Sequence, residues 1–299
     1  MTVALPGFEH DALFYRDEAE FVTRVGGFVR AGLAGDETVS VALPRPRLDL
    51  LRDALEGEAA AVTWLDMAEI GANPARIIAV WTATLRASLA AGRHLRGVGE
   101  PAYVGRRPAE LVECALHERL LDRAFGDGPA WRLVCPYDEE HLPPEVCAGA
   151  RRTHAGPGTD DEHRTAFAAP LPPPSGAVLR GDFRAGDVPA VRRTVRHWAA
   201  SLGLVPDRVE SLELAAAELA TNSVRHGGGA GSVAMWTDDD AAVLEFTDSG
   251  TVDEPLAGRL LPAPEDDGGR GLYLVNALCD LVQLRSSPAG TTVRVLTWL

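Results

Sequence analysis

The sequence predicts two α/β domains. The first is built on a mostly parallel sheet with interleaved helices. The second is a two-layer α/β sandwich with antiparallel strand pairs. Three observations carry this. The chain has 299 residues, room for two cores at roughly 150 residues each. Its composition shifts once, over residues 151–177 (RRTHAGPGTDDEHRTAFAAPLPPPSGA), which are rich in Pro, Gly and charge and lack a regular period. The order of periodic segments also changes there. Before it, apolar strand-like runs alternate with helical stretches, the pattern of βαβ units. After it, helices come first and paired strands later.

In chain order, Glu18–Leu33 repeats apolar residues at helical spacing, with Phe21, Val25, Phe28 and Val29 among them. TVSVAL, Thr38–Leu43, reads as a buried strand, Arg47–Leu55 as a helix and Ala61–Leu65 as a strand. Pro74–Ala91 reads as a helix with Pro in its first turn. Arg96–Gly99 is a short strand, Pro108–Phe125 a helix and Trp131–Cys135 a strand. A linker is expected over 156–177, stiffened by Pro172, Pro173 and Pro174. Beyond it, Ala177–Phe183 reads as a strand, and Val188–Leu202 and Asp207–His226 as helices. Ser232–Thr237 and Ala242–Thr247 form a strand pair, Arg270–Leu278 a helix, and Leu281–Ser286 with Thr291–Trp298 a final hairpin.

Composition excludes several functions. With 29 Lys+Arg against 43 Asp+Glu the net charge is −14, the wrong sign for phosphate backbones or anionic lipid. Neither nucleic acid nor a membrane is expected as a partner. Every fixed cation is Arg, and the chain has no Lys. That removes Walker-A ATPases, Schiff-base enzymes and eukaryotic-type protein kinases, each of which needs a Lys. Cys114, Cys135, Cys147 and Cys279 show no CxxC spacing and do not cluster with His along the chain. Neither a zinc site nor a disulfide framework is therefore expected. The opening MTVALPGFEHDALFY lacks a basic n-region, and no run reaches the ~18 apolar residues of a membrane span. A cytoplasmic location is the expectation.

Three separated segments of the second half carry chemistry. In ELATNSVRHG, Glu218, Asn222 and His226 are spaced four apart and share a helical face. A carboxylate there can take a proton, and an amide oxygen can bind a hard cation. Taken alone, the stripe reads equally well as a solvated face. TDSG places Asp248 at a strand end before Gly250, suited to accept from a ligand amine; taken alone, it reads more readily as a plain turn. GGRGLYLV, with Gly268, Gly269, Arg270, Gly271 and Leu272, leads a Gly-rich loop into a helix N-terminus, a phosphate cradle. GTTV, with Thr291, opens the last strand.

In this order, within about eighty residues, these pieces resemble the ATP-binding domain of the GHKL superfamily. Within it they look most like the small anti-sigma-factor kinases of the RsbW and SpoIIAB type. The resemblance covers 178–299 and implies the Bergerat ATPase fold. It also implies ATP with Mg²⁺, and roles residue by residue. Asn222 would hold Mg²⁺ and Glu218 would be the general base. Asp248 would accept from the adenine amine with Thr291 in support, and Gly250 would let the backbone approach the base. Gly269 and Gly271, with Leu272, would wrap the phosphates, Arg270 would neutralise charge and His226 would support. The family pattern often reads Asp-x-Gly-x-Gly, whereas here Thr251-Val252 follows Gly250, so the second Gly is missing. Residues 251–267 are the expected lid. His197 lies on a single helix with no coiled-coil hairpin, which argues against a sensor histidine kinase.

In the first half, HDALFY, RAGLAGDETVSVALP, WLDMAEIGANPARII and CPYDEEHLPPEV resemble the MEDS sensory domain, a three-layer RecA/KaiC-like core that has lost its P-loop. The resemblance covers roughly 8–155, which sets a domain over 1–155, and implies a small-molecule sensor whose ligand it does not name. Strand-end residues Asp66, Asn73, Arg76, Glu100, Tyr137 and Asp138, with His10 and Tyr15, are candidate ligand contacts. Asp66 and Asn73 read equally as helix caps. His117-Glu118 reads as a surface pair, and Trp64, Trp81 and Trp131 as core. Together these readings imply a two-domain regulator. It would phosphorylate Ser or Thr of a STAS-type anti-sigma-factor antagonist, sequester a sigma factor, or do both. The alternative is a nucleotide-binding switch or ligand sensor acting only by protein–protein contact. The ATPase resemblance also implies a homodimer.

Overall fold

The computed structural model describes residues 7–156, 160–238, 240–262 and 269–299, without the side chains of 160–163. The chain divides into two compact units, Met1–Thr159 and Asp160–Leu299.

The first unit runs β1 (Phe8–Tyr15), α1 (Glu18–Ala34), β2 (Thr38–Leu43), α2 (Arg45–Leu55), β3 (Val62–Asp66), α3 (Met67–Ile70) and α4 (Ile77–Ala90). It continues with β4 (Leu95–Gly99), α5 (Pro108–Phe125), β5 (Trp131–Asp138) and α6 (Pro144–Thr153). The five strands are all parallel, in the order β1-β5-β4-β2-β3. Side chains alternate across the sheet. Leu13, Tyr15, Val98 and Val134 face one way, into a core with Phe21 and Val25 of α1 and Leu48 and Leu51 of α2. Gly97 and Gly99 face the other way, where a side chain at either position would meet Trp81 of α4. The unit is therefore three-layered, as expected, and Trp81 and Trp131 are core.

Sequence periodicity missed three elements here. In β1, His10 and Asp11 interrupt the apolar alternation, which an edge strand tolerates. α3 is too short to show a period, and α6 opens on consecutive prolines. Pro74 does not start the long helix either. It sits in a separate 3₁₀ turn, Pro74–Arg76, where the Asn73 side chain accepts from the Ala75 amide.

The second unit runs α7 (Asp160–Ala168), β6 (Leu179–Arg184), α8 (Val188–Ser201), α9 (Pro206–His226), β7 (Ala230–Asp238) and β8 (Ala241–Asp248). α10 (Arg270–Leu278), β9 (Leu281–Ser287) and β10 (Gly290–Trp298) follow. Its sheet is antiparallel, ordered β6-β7-β8-β10-β9. Val195 of α8, Leu212, Ala216 and Leu219 of α9 and Val275 of α10 pack onto Met235, Leu244, Phe246 and Val295 of the sheet. That is the two-layer sandwich expected.

The linker expected over 156–177 is corrected. It contains α7, whose Phe167 is buried in the core of the second unit. The Pro172 carbonyl accepts from the Arg294 guanidinium at 2.8 Å, and Ser175 donates to Asp238 at 2.8 Å. The high Pro content reflects a segment laid along the sheet through side-chain and carbonyl contacts, since Pro has no N–H for a ladder. Among the described residues no helix is long and apolar enough to cross a membrane.

Candidate functional site

A cleft of about 440 Å³ opens in the second unit between α9, the end of β8, the start of α10 and β10. Asn222, His226, Asp248, Gly250, Gly269, Gly271, Leu272 and Thr291 all line it. α9 buries Leu212, Ala216 and Leu219 and thereby turns the stripe Glu218, Asn222, His226 along its flank. Asp248 ends β8 opposite Thr291, which opens β10.

Hydrogen bonds hold the Asp248 corner. Ser223 Oγ donates to Asp248 Oδ2 at 2.7 Å, and the Gly250 amide donates to Oδ1 at 2.9 Å. Thr291 Oγ1 donates to the Gly250 carbonyl at 2.8 Å, and Ser286 Oγ lies 3.0 Å from Thr291 Oγ1. Backbones close in behind. A Cβ on Gly250 would run into the His226 carbonyl, and one on Gly227 into the Asp248 carboxylate.

The loop before α10 supplies the second wall. Gly269, the N-cap of α10, sits at φ +82°, the left-handed region a Cβ disfavours, and as a glycine has no side chain of its own to cap the helix behind it. A helix start opened by glycines is where backbone N–H groups can receive an anion. A Cβ on Gly271 would lie 2.7 Å from Glu218 Oε2, pushing that carboxylate aside, and 3.6 Å from Asn222 Oδ1. The small loop, a carboxylate and a hard amide oxygen therefore meet at one point.

Glu218 and Arg270 do not line the cleft wall. Glu218 reaches the site at Gly271, and Arg270 is exposed at the first position of α10. Ser223 and Gly227 line the cleft and were missed, whereas Asp253 and Glu254 line it from within the expected lid. Ser223 lies beside Asn222 but off the four-residue stripe, so periodicity gave it no signal. Of the expected lid, 251–262 is described, and 263–267, like Gly268, lies outside the described residues. Val252, where the family pattern has its second Gly, packs against the core and donates its amide to Ser286 Oγ at 2.8 Å.

In the first unit, the C-terminal edge of the sheet carries a buried polar cluster, the place where open α/β sheets bind ligands. Tyr15 OH donates to Glu100 Oε1 at 2.9 Å, and Arg47 donates to Asp138 Oδ2 at 3.0 Å. The Arg47 guanidinium lies over the Tyr15 ring at 5.2 Å. Burial pushes the Glu100 carboxyl up to about 8, against the pull of Tyr15 and Arg47. Burial and Glu100 likewise raise the Tyr15 hydroxyl. Asp66 and Asn73 act as caps, accepting from the Ala68 and Ala75 amides, and Arg76 is half-buried beside them.

His10 and Tyr137 stand apart from this edge, on the sheet face under α5 and α6. His117 and Glu118 are not a surface pair: they are 1% and 3% exposed. Cys135 does cluster with histidine, since its Sγ lies 3.3 Å from His10 Nε2. All four cysteines are free and buried.

Residues 9–155 match the family described as the methanogen/methylotroph, DcmR sensory domain (MEDS). Residues 182–297 match the histidine kinase-like ATPase domain. The serine-protein kinase RsbW of Halalkalibacterium halodurans is 33% identical to this chain, over 33% of this chain and 68% of that protein. The crystal structure of the RsbU and RsbW domains of Rv1364c from Mycobacterium tuberculosis aligns with TM-score 0.32 at 20% identity. That alignment covers 42% of this chain and 33% of the other, so this chain spans about a third of that protein's length.

Proposed function

The chain belongs to the RsbW-like histidine kinase-like ATPases and carries a MEDS domain before the ATPase domain, and on that footing we propose that it is an ATP-dependent protein serine/threonine kinase of the anti-sigma-factor type. ATP would bind in the 440 Å³ cleft, with a STAS-type anti-sigma-factor antagonist as phosphoryl acceptor, a sigma factor as a second partner, or both. The observation that carries the reading is the meeting of Glu218, Asn222 and Gly271 at the glycine-led start of α10, across the cleft from Asp248.

Each group has a chemical task. Asp248, held by Ser223 and the Gly250 amide, would present its carboxyl oxygens as acceptors to an adenine amine. The α10 N-terminus and the Gly269–Gly271 loop receive the phosphates through backbone N–H groups, which serves in a chain without Lys. Asn222 Oδ1 is the hard oxygen that would hold Mg²⁺, whose role is to offset phosphate charge. Glu218 takes the proton from the attacking hydroxyl. The MEDS unit would act through a ligand that binds two states of the ATPase differently.

One observation favours a second reading, a nucleotide-dependent switch that controls its partner by binding alone. Val252 is packed and hydrogen-bonded where the kinases often have a flexible Gly. Glu218→Gln separates the two when wild type and variant are assayed for phosphoryl transfer to a STAS-type protein from the same organism. The kinase reading expects nucleotide binding to persist while transfer drops by about 10²–10⁴-fold. No transfer by wild type, with nucleotide bound, would overturn the kinase in favour of the switch.

A further inference from the structure

The first unit gathers four side chains that neither its fold nor the nucleotide site uses. His10 comes from β1, Cys135 from β5, Glu118 from α5, and His154 from the residue that ends α6. Their donor atoms all lie within 4.8 Å of one another. His10 Nε2 is 3.0 Å from Glu118 Oε2, His154 Nε2 is 3.2 Å from the same oxygen, and the two Nε2 atoms are 3.0 Å apart. Cys135 Sγ is 3.3 Å from His10 Nε2. The side chains of His10, Glu118 and His154 are only 3%, 3% and 4% exposed.

Two features make this more than a buried ion pair. First, His154 Nδ1 lies 2.8 Å from the Ala150 carbonyl, which can only accept. Nδ1 therefore carries the proton, and in the neutral ring Nε2 points a bare lone pair at the cluster. A ring N–H held by a carbonyl is also how proteins orient metal-ligating histidines. Second, both Glu118 oxygens are buried and, among the described residues, neither makes a hydrogen bond of good geometry, the two histidines meeting Oε2 as close ion-pair contacts. The lone pair of His154 Nε2 and the Glu118 carboxylate thus face one volume beside His10 Nε2 and Cys135 Sγ, a donor set that a cation would satisfy once His10 Nε2 gives up any proton it carries.

We propose that His10 Nε2, His154 Nε2, Glu118 Oε2 and Cys135 Sγ form a four-donor site for a divalent transition metal, with Zn²⁺ the best match. Donors 2.0–2.3 Å from a tetrahedral ion stand about 3.3–3.7 Å apart. The four separations given above fall within a few tenths of an ångström of that, and the remaining pairs lie within 4.8 Å. The mixed nitrogen, sulfur and single-carboxylate set suits Zn²⁺ and disfavours Mg²⁺ or Ca²⁺, which take oxygen cages. Glu118 also borders a cavity of about 370 Å³ between α5 and α6, which gives an ion a way in. Once bound, the ion would cross-link β1, β5, α5 and α6.

The test is to strip the purified full chain with a chelator and titrate it with Co²⁺, followed by absorption spectroscopy. One equivalent should produce the visible bands of tetrahedral cobalt and a near-ultraviolet thiolate-to-cobalt band, and Zn²⁺ should bleach both. Cys135→Ser should lose the thiolate band, and His154→Ala should weaken binding at least tenfold. A colourless wild-type titration would overturn the proposal, and that result does not depend on any variant folding. So would a thiolate band that survives in Cys135→Ser, because another cysteine would then be the ligand.

Discussion

Glu100→Gln tests whether the sheet-edge cluster of the first unit holds a neutral acid. Glu100 is 1% exposed and its Oε1 accepts from Tyr15. Burial raises its carboxyl from 4.5 to about 8. Between those values the folded state keeps a proton that the unfolded state has released, so folding weakens as pH rises through this window. At 1.36 kcal/mol per pH unit, moving from pH 6 to pH 9 should remove on the order of 3 kcal/mol from the stability of this unit. Above pH 8 the loss levels off, because the folded carboxyl ionises too. Gln keeps an acceptor for Tyr15 and cannot ionise, so this component should vanish. Subtracting the variant's profile from wild type cancels other titrations that the two share. Urea unfolding of the full chain, with pulsed hydrogen exchange, separates the units through peptides from β4 and from β8. Parallel pH profiles for wild type and variant would refute the reasoning, as would a wild type that gains stability relative to Gln on going alkaline.

Two further substitutions probe the cleft. Gly271→Ala places a methyl 2.7 Å from Glu218 Oε2 and pushes that carboxylate aside; stability should change by no more than about 1 kcal/mol while the stabilisation by ATP–Mg²⁺ should fall, by thermal unfolding with and without nucleotide. Ser223→Ala removes the hydroxyl that donates to Asp248 Oδ2. It should cost about 1 kcal/mol of stability and lower nucleotide affinity while leaving the Gly250 amide bond to Oδ1 in place, by calorimetry against wild type.

The ATPase half was legible because its chemistry is local. Glu218, Asn222 and His226 follow one helix, and Gly269 and Gly271 sit in one loop, so spacing alone places them. What spacing could not supply was the corner that joins them. Ser223 faces Asp248 only because α9 packs beside β8, and Gly227 meets Asp248 for the same reason. The sensory half was legible as a fold and less so as a site. Its strands are apolar and its helices periodic, yet His10, Glu118, Cys135 and His154 come from four separate elements. Their shared burial is a product of the parallel sheet, which pairs β1 with β5 across most of the chain between them. The linker reading failed because Pro content reports the missing ladder N–H and says nothing of carbonyl or side-chain anchors such as Pro172 and Ser175.

The nucleotide cleft is tested most directly by titrating ATP–Mg²⁺ into the full chain by calorimetry, with Asn222→Ala and Asp248→Ala beside wild type. Wild type should bind one nucleotide per chain. Loss of Asp248, a charged acceptor worth about 1.5–3 kcal/mol, should weaken binding by roughly tenfold to more than a hundredfold. Asn222→Ala should weaken binding with Mg²⁺ present and have little effect without it. Wild type that fails to bind, or variants that bind as wild type does, would contradict the assignment of this cleft to ATP.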